Sequence, residues 1–402
     1  MLSNEDNELI TRVGPSTPMG EVMRRYWIPA LLSAEIPEPD CPPVKVKLLG
    51  ESLVAFRDSS GRVGLLGELC AHRRASLFYG RNEECGLRCV YHGWKYDVEG
   101  NVLETPAEPA HSTLKDKVKQ KAYPCREIAG VVFTFMGPPD KMPFFPNYEW
   151  FRLPKQNIGV TKFLLECNYL QALEGDCDSA HAPFLHRGNR GGGLLTTRGF
   201  TVSYEIREKW FGLKAAALRP VGSSEKHVRV HSFAMPFIAC VPTAFLVNGK
   251  PDGYLVVYQT PSDDYHTVRY NFRFKRSEPV TERDIEFDRF QLEADFHLLA
   301  NSANNYLIDR EKQRASNYTG IEGFATQDAC MTESMGPICD RSEEHLGVTD
   351  AFIIAVRRFL IRAARDLQAG KEAPGTIAAE DQNQLLEINS YERTVPLDAA
   401  WD

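Results

Sequence analysis

The sequence has no long uninterrupted apolar run, no excess of positive charge and no internal repeat. Its most apolar stretch, residues 230–249, is broken by His231, Ser232, Pro236, Pro242, Thr243 and Asn248, so it reads as two short strands and not a membrane span. Lys and Arg number 47 against 54 Asp and Glu, a formal net charge of −7. That balance argues against a nucleic-acid-binding surface. The opening MLSNEDNELITRVG is polar and acidic, without the basic-then-apolar order of a secretory signal. The ten scattered cysteines are therefore expected to stay reduced, in the cytoplasm, with no disulfide framework. Also missing are a G-x4-G-K-[ST] phosphate loop, a nicotinamide or flavin fingerprint and a plant-type C-x4-C-x2-C run. The glycine-rich RGNRGGGLL that starts at Arg187 is thus a surface loop or a mobile lid.

What is present is an ordinary globular composition, 43% hydrophobic over 402 residues, enough for two to three domains. Residues 14–32 read as a short helix that ends near Tyr26, because Pro29 cannot continue it. From 44 to about 137, β-branched and aromatic runs alternate with Gly, Asn and Asp turns, and Glu99-Gly100-Asn101 signals a hairpin. A proline-dense exit follows at about 136–150. The pattern predicts a helix around 165–185, strands over 196–274, a helix capped by Thr281 and Asp284, and a helix from Thr349-Asp350 to Gly370. Phe352, Val356, Phe359, Leu360, Ala363 and Leu367 share one face of that last helix. The final thirty or so residues carry little pattern and read as a tail or interface arm. The fold class is α+β. An N-terminal segment, 1–43, is expected to pack with the catalytic domain; a small all-β domain spans 44–150; and a larger domain, 151–402, holds an antiparallel sheet covered by helices in a helix-grip-like manner.

Two constellations carry chemistry. In the first, Cys70-Ala71-His72 is followed sixteen residues later by Cys89-Val90-Tyr91-His92. Each half supplies one thiolate and one imidazole. A structural zinc site more often takes two cysteines from one loop and two histidines from another. The mixed arrangement suits a two-iron cluster with two cysteines on one iron and two histidines on the other, which is Rieske [2Fe–2S] ligation. Gly93 would allow close backbone approach, and Trp94 would exclude water. Cys85 has no histidine after it and reads as a bystander thiol, as do the other seven cysteines.

The second constellation is Asp178-x2-His181-x4-His186. Asp178 and His181, three apart, would share a helix face, and a bend at Ala182-Pro183 would bring both imidazoles to one metal. Two histidines and a carboxylate make the facial triad of a non-haem Fe(II) oxygenase. Arg207, Arg219 and Arg229, on expected strands, are candidates to clamp a substrate carboxylate, an outward-facing charge being the alternative for each. The run 233–247 could line a pocket for an aromatic ring or simply pack a core. The remaining histidines (111, 227, 231, 266, 297, 345) have no partner at ligand spacing and read as structural or surface residues.

With RRYWIPALL, the two Cys/His pairs, ALEGDCDSAHAPFLH and YTGIEGFATQDACMTESMGPICDRSEEHLGVTD on the page, the chain resembles the Rieske non-haem iron aromatic-ring-hydroxylating oxygenases. It is most similar to the phthalate dioxygenase and phenoxybenzoate dioxygenase group, over most of its length. The resemblance implies a third iron ligand at Asp328, in the Gln327-Asp328 context, with Asp340, Glu333 and Glu322 as rivals. It implies that Asp178 is not a ligand but a bridge between a cluster histidine, His92, and His181 of a neighbouring subunit. It further implies a terminal oxygenase, fed from NAD(P)H by a separate reductase with or without a ferredoxin, that uses O2 to hydroxylate an aromatic substrate such as a phthalate or phenoxybenzoate. A homotrimer, or a hexamer of stacked trimers, is expected. A monooxygenase performing O- or N-dealkylation is the alternative within the class, and a Rieske electron carrier without oxygenase activity is the alternative outside it.

Overall fold

The computed structural model describes residues 2–187, 201–242, 246–247, 250–289 and 291–401. The chain divides into two compact units, one of residues Met23–Pro143 and the other of Met1–Val22 with Phe144–Asp402.

The smaller unit is made of three antiparallel sheets. Strands Val44–Leu48, Glu51–Arg57, Val63–Gly67 and Ala122–Tyr123 form one, and four short strands between Arg81 and Glu104 form another. Their shared core holds Val54, Phe56, Leu66, Leu87, Trp94 and Tyr96, with Cys70 and Cys89 among them. The third sheet changes one expectation. The helix expected over residues 14–32 is only Pro18–Met23, and Trp27–Leu32 is a strand paired antiparallel with Val131–Phe135. Trp27–Leu32 lies at the edge of its sheet, and its register shifts between Pro29 and Leu31. An edge strand tolerates the missing N–H of proline, and Trp, Ile and Leu gain more from pairing on a buried strand than from another helical turn. This pairing places residues 23–43 with the β unit, where a boundary at residue 44 was expected.

In the larger unit, seven strands run antiparallel in the order Ile158–Leu165, Thr267–Phe274, Leu255–Pro261, Ile238–Val241, Glu225–Ala234, Gly212–Val221 and Ser203–Lys209. The C-terminal residues are not a tail. Tyr391–Pro396 pairs with Glu225–Ala234 as an eighth strand, and Trp401 is buried against Ala216, Val228 and Val230. Alternation in YERTVP is too weak to read alone, since only burial of the nearby indole reveals which face is inside. The opposite face of the sheet carries Arg219, Arg229, His231 and Phe233, and it is covered by the helices Tyr169–Cys177 and Ala351–Gln368. The Phe233 and Phe359 rings meet edge-to-face across that layer, 6.1 Å apart.

A buried ion network joins these helices. Arg357 Nε and Arg341 Nη2 donate to the two oxygens of Glu174, at 2.6 and 3.0 Å, and Arg357 also meets Glu344. Burial opposes the charged form of Glu174, but Arg341 and Arg357 together hold its carboxyl below the usual value. A carboxyl whose folded pKa is depressed stabilises fully above the unfolded value, and that contribution fades as pH falls through the folded one. We predict that Glu174→Gln, which leaves two buried guanidiniums without their shared counter-ion, costs about 3–5 kcal/mol. Chemical denaturation at pH 7 measures it, and the gap to the unsubstituted protein should narrow on acidification below about pH 4.3.

Candidate two-centre iron site

The cluster cradle is built by two loops of the small unit. Cys70 and His72 follow strand Val63–Gly67, and Cys89 and His92 lie between Gly86–Arg88 and Lys95–Tyr96. Each loop is closed by its own backbone hydrogen bonds. The Cys70 N–H donates to Ala75 and the Arg74 N–H to Cys70; the Cys89 N–H donates to Trp94 and the Gly93 N–H to Cys89. Gly93 sits at φ +75°, where a Cβ would also strike the Pro106 ring at 2.6 Å, so both space and backbone require glycine. The two cysteines are buried and the two imidazoles half-buried, with ring centroids 4.5 Å apart. Trp94 stacks flat on His72 at 4.7 Å.

The donors fit a [2Fe–2S] group. His72 Nδ1 is buried and has no hydrogen-bond partner among the described residues, which would be costly unless it served as a ligand. Burial, together with the neighbouring Cys70 sulfur, raises the Cys89 thiol pKa, and cationic metal would relieve that cost. Tyr96 lies 3.0 Å from Cys70 Sγ. Gln120, nearly fully buried, accepts from the Ala71 N–H and donates to the Gly67 and Leu69 carbonyls, so it clamps the first loop. Nothing in local sequence marks Gln120, because its three partners lie some fifty positions away. Cys85 is exposed, in a tight turn outside the cradle.

The second centre lies in the larger unit. Its helix ends at Cys177, earlier than the spacing predicted, and Asp178 takes an extended backbone, φ −83° and ψ 118°. Asp178 and His181 therefore do not share a helix face. The Asp178 carboxylate instead caps the next turn, accepting from the Ala180 and His181 N–H groups at 2.6 and 3.2 Å. The short helix Ala182–Leu185 then separates the two histidines, with Pro183 in its first turn. Asp328 comes from the helix Phe324–Ser334. The structure brings His181, His186 and Asp328 together with ligand atoms within 4.8 Å of one another. Asp328 Oδ1 is 3.2 Å from His186 Nε2 and 3.8 Å from His181 Nε2. The rivals are engaged elsewhere: Glu322 pairs with Lys312, Glu333 accepts from Tyr306, and Asp340 accepts from Ser342.

Both imidazoles are oriented from behind. His181 Nδ1 lies 3.3 Å from Asp178 Oδ2, and His186 Nδ1 lies 2.8 Å from Gln327 Oε1. Gln327 donates both amide hydrogens, to Thr319 Oγ1 and the Ile321 carbonyl, so its oxygen must accept. His186 Nδ1 is then the protonated nitrogen and Nε2 presents a lone pair, the arrangement a metal requires. Gln327 was visible in sequence only as the neighbour of Asp328. Burial works against the ionised forms of Asp178 and Asp328, yet adjacent imidazoles hold both carboxyls below their usual value. A cavity of about 690 Å³ opens here, lined by Asp178, His181 and Asp328 and by apolar groups including Phe163, Phe184, Ile308 and Ile321.

The arginine candidates separate. Arg207 stacks over Trp401, whereas Arg219 and Arg229 lie on the helix-covered face, buried. Arg219 donates to the Ser179 carbonyl and hydroxyl. None of the three lines that cavity, nor does any described residue of 233–247; the glycine-rich stretch from 188 to 200 and residues 243–245 lie outside the described residues.

A cradle of two cysteines and two histidines in one unit and a His–His–Asp group in the other define a two-centre iron oxygenase. Residues 26–124 match a family described as Rieske [2Fe-2S] domain, and residues 134–199 and 200–402 match one described as LigXa C-terminal domain like. The chain belongs to the Rieske non-haem iron oxygenases. It is 40% identical to the phthalate 4,5-dioxygenase oxygenase subunit of Pseudomonas putida, covering 100% of this chain and 94% of that one. It is 37% identical to the 3-chlorobenzoate-3,4-dioxygenase oxygenase subunit of Comamonas testosteroni, over 95% and 93%. The terminal oxygenase of carbazole 1,9a-dioxygenase from Novosphingobium sp. KA1 shares the fold, with a TM-score of 0.61 at 20% identity over 90% of this chain and 96% of that one.

Gln327→Leu should lower iron affinity at the second centre about 10- to 100-fold, the usual cost of losing a group that orients a ligand. Iron titration of the stripped enzyme checks this. Tyr96→Phe should lower the midpoint potential of the cluster, since a hydrogen bond to a ligand sulfur stabilises the reduced state. Redox titration followed by electron paramagnetic resonance reads it directly.

Proposed function

We propose that this chain is the terminal oxygenase of a multicomponent system that hydroxylates an aromatic carboxylate. Cys70, His72, Cys89 and His92 would hold the [2Fe–2S] cluster, and His181, His186 and Asp328 the iron. The observation that carries the assignment is the convergence of those three side chains, with His186 hydrogen-bonded from behind by Gln327 and the Asp178 carboxylate 3.3 Å behind His181. Iron(II) held by those three side chains would supply O2 activation. The protein's part is to orient and to exclude water. Asp178 and Gln327 fix the rings, and the apolar walls around the cavity limit solvent near the substrate. Electrons come from a separate NAD(P)H-dependent reductase, with or without a ferredoxin.

Arg219, 1% exposed and without an ion pair among the described residues, braces Ser179, two positions before His181, from outside the cavity lining. The relatives named for phthalate and 3-chlorobenzoate act on aromatic carboxylates, which agrees with the aromatic-carboxylate reading.

We also propose a cyclic trimer, or a hexamer of two such trimers, in which Asp178 links His181 of its own chain to His92 of a neighbour. Exposed apolar groups favour such contact: Val90 and Tyr91 beside His92, and Phe184, Tyr318, Met331 and Met335 around the cavity that contains Asp178. Asp178→Asn should reduce product formation about 10- to 100-fold, the scale for losing an orienting carboxylate. Cluster and iron contents should stay the same. Analytical ultracentrifugation should show a trimer or hexamer, and a monomer with full turnover refutes the bridge. His181→Ala should abolish oxygen-dependent product; unchanged product and iron would make the protein an electron carrier. Incorporation of two labelled oxygen atoms marks dihydroxylation, and of one marks monooxygenation or dealkylation.

A further inference from the structure

Arg269, on the strand Thr267–Phe274, lines the cavity that holds His181 and Asp328. In the sheet register it lies opposite Phe163 on one side and Gln259 on the other, so the three share a face. Its guanidinium is fixed at two of its three nitrogens. Nε donates to Asn271 Oδ1 at 2.9 Å, and Nη1 meets both oxygens of Asp176, at 2.9 and 3.1 Å. Asp176 is held in turn by Gln259 Nε2, at 2.6 Å. The guanidinium carbon lies 5.7 Å from the centroid of the Phe163 ring. Nη2 makes no hydrogen bond among the described residues, and the side chain is 12% exposed.

The cavity has apolar walls, among them Phe163, Leu165, Ile308 and Ile321. Two other arginines line it. Arg357 is held by Glu174 and Glu344, and Arg310 is exposed and donates to Gln313. Arg269 therefore combines partial burial, a fixed orientation and an open donor. A planar guanidinium bound at Nε and Nη1 keeps Nη2 in one direction, and a donor partly withdrawn from water binds an acceptor more strongly. Against burial, His186 and His181 hold the Asp328 carboxyl below its usual value, and Arg269 adds to their pull. The charge of Arg269 is thus felt at the metal group itself. Asp176 offsets part of that charge through Nη1 and leaves Nη2 for an acceptor that enters the cavity.

We propose that Arg269 is a specificity-determining residue whose Nη2 donates to the carboxylate of an aromatic acid, while the ring of that acid rests against Phe163 and the other apolar walls. This rests on the aromatic-carboxylate reading above and names the residue that selects an acid over its uncharged analogue. Asp176 then has two opposed effects: it orients the guanidinium, and it competes with the substrate for its charge. Nothing in the spacing of VRYNFRF marks Arg269, because only the cavity distinguishes it from an outward-facing charge on a strand.

The test is calorimetric binding to the intact, iron-loaded enzyme under anaerobic conditions, with benzoate, 3-chlorobenzoate and phthalate beside their uncharged primary amides. At least one acid should bind roughly 10- to 100-fold tighter than its amide, the scale of a hydrogen bond between charged groups. In Arg269→Gln that acid and its amide should bind within about threefold, with cluster and iron contents unchanged. Arg269→Gln combined with Asp176→Asn leaves no buried charge unpaired, so it serves where the single variant fails to fold, and it should show the same loss of preference. Asp176→Asn alone should tighten acid binding several-fold and leave amide binding unchanged, because it removes the competing charge. An arginine that only pinned the helix to the sheet would lose acid and amide alike. Full acid preference retained in the Arg269 variants overturns this inference and leaves the aromatic-carboxylate reading standing. So does acid binding that Asp176→Asn weakens or leaves unchanged. If no acid binds better than its amide to the unsubstituted enzyme, the aromatic-carboxylate reading fails and this inference with it.

Discussion

Both imidazoles of the His–His–Asp group are held at the ring nitrogen that faces away from Asp328. Asp178 holds one and Gln327 the other. A histidine binds metal through a lone pair, and the partner of the second nitrogen decides which atom has it. The local folding of this region serves that constraint. The helix must stop at Cys177 so that Asp178 can turn its carboxylate onto the next three residues. Pro183 starts a one-turn helix that sets His181 and His186 at its two ends. Gln327 must lie on the helix that carries Asp328, with its amide hydrogens committed to the 319–321 turn, or its oxygen would not be a dependable acceptor.

The same economy operates in the cluster cradle. Two loops of different length are closed by short backbone hydrogen bonds, and side chains from elsewhere secure them: Gln120 on the first loop, Tyr96 and Trp94 against the ligands. Burial separates the donor types, with thiols inside and imidazoles toward the surface. His72 and His92 would thus hold a cluster from the more exposed side of the cradle. Exposed Val90 and Tyr91 lie beside that edge.

Much of the site was legible in the chain. Cys and His at short spacing in two loops, and Asp, His and His within nine residues, are local patterns, and local patterns survive in one dimension. Asp328 was readable only through resemblance, because 142 positions separate it from His186 and no spacing rule spans that distance. The places of Gln120 and Gln327 in the two sites were not readable at all. Each acts through hydrogen bonds to backbone or side-chain atoms of other segments, and neutral polar residues give no periodic signal. The misread elements share a cause as well. Trp27–Leu32 and Tyr391–Pro396 are strands because a partner strand waits for them, and that partner is about a hundred residues away or further in each case.

By itself, then, the sequence determined the kinds of donor available and the local loops that present them, since chemistry and short-range spacing are properties of the chain. Tertiary structure decided which carboxylate lies against the two histidines, which nitrogen of each imidazole faces it, and which buried arginine makes no ion pair among the described residues. Those are matters of direction and desolvation, and neither exists until distant segments pack together.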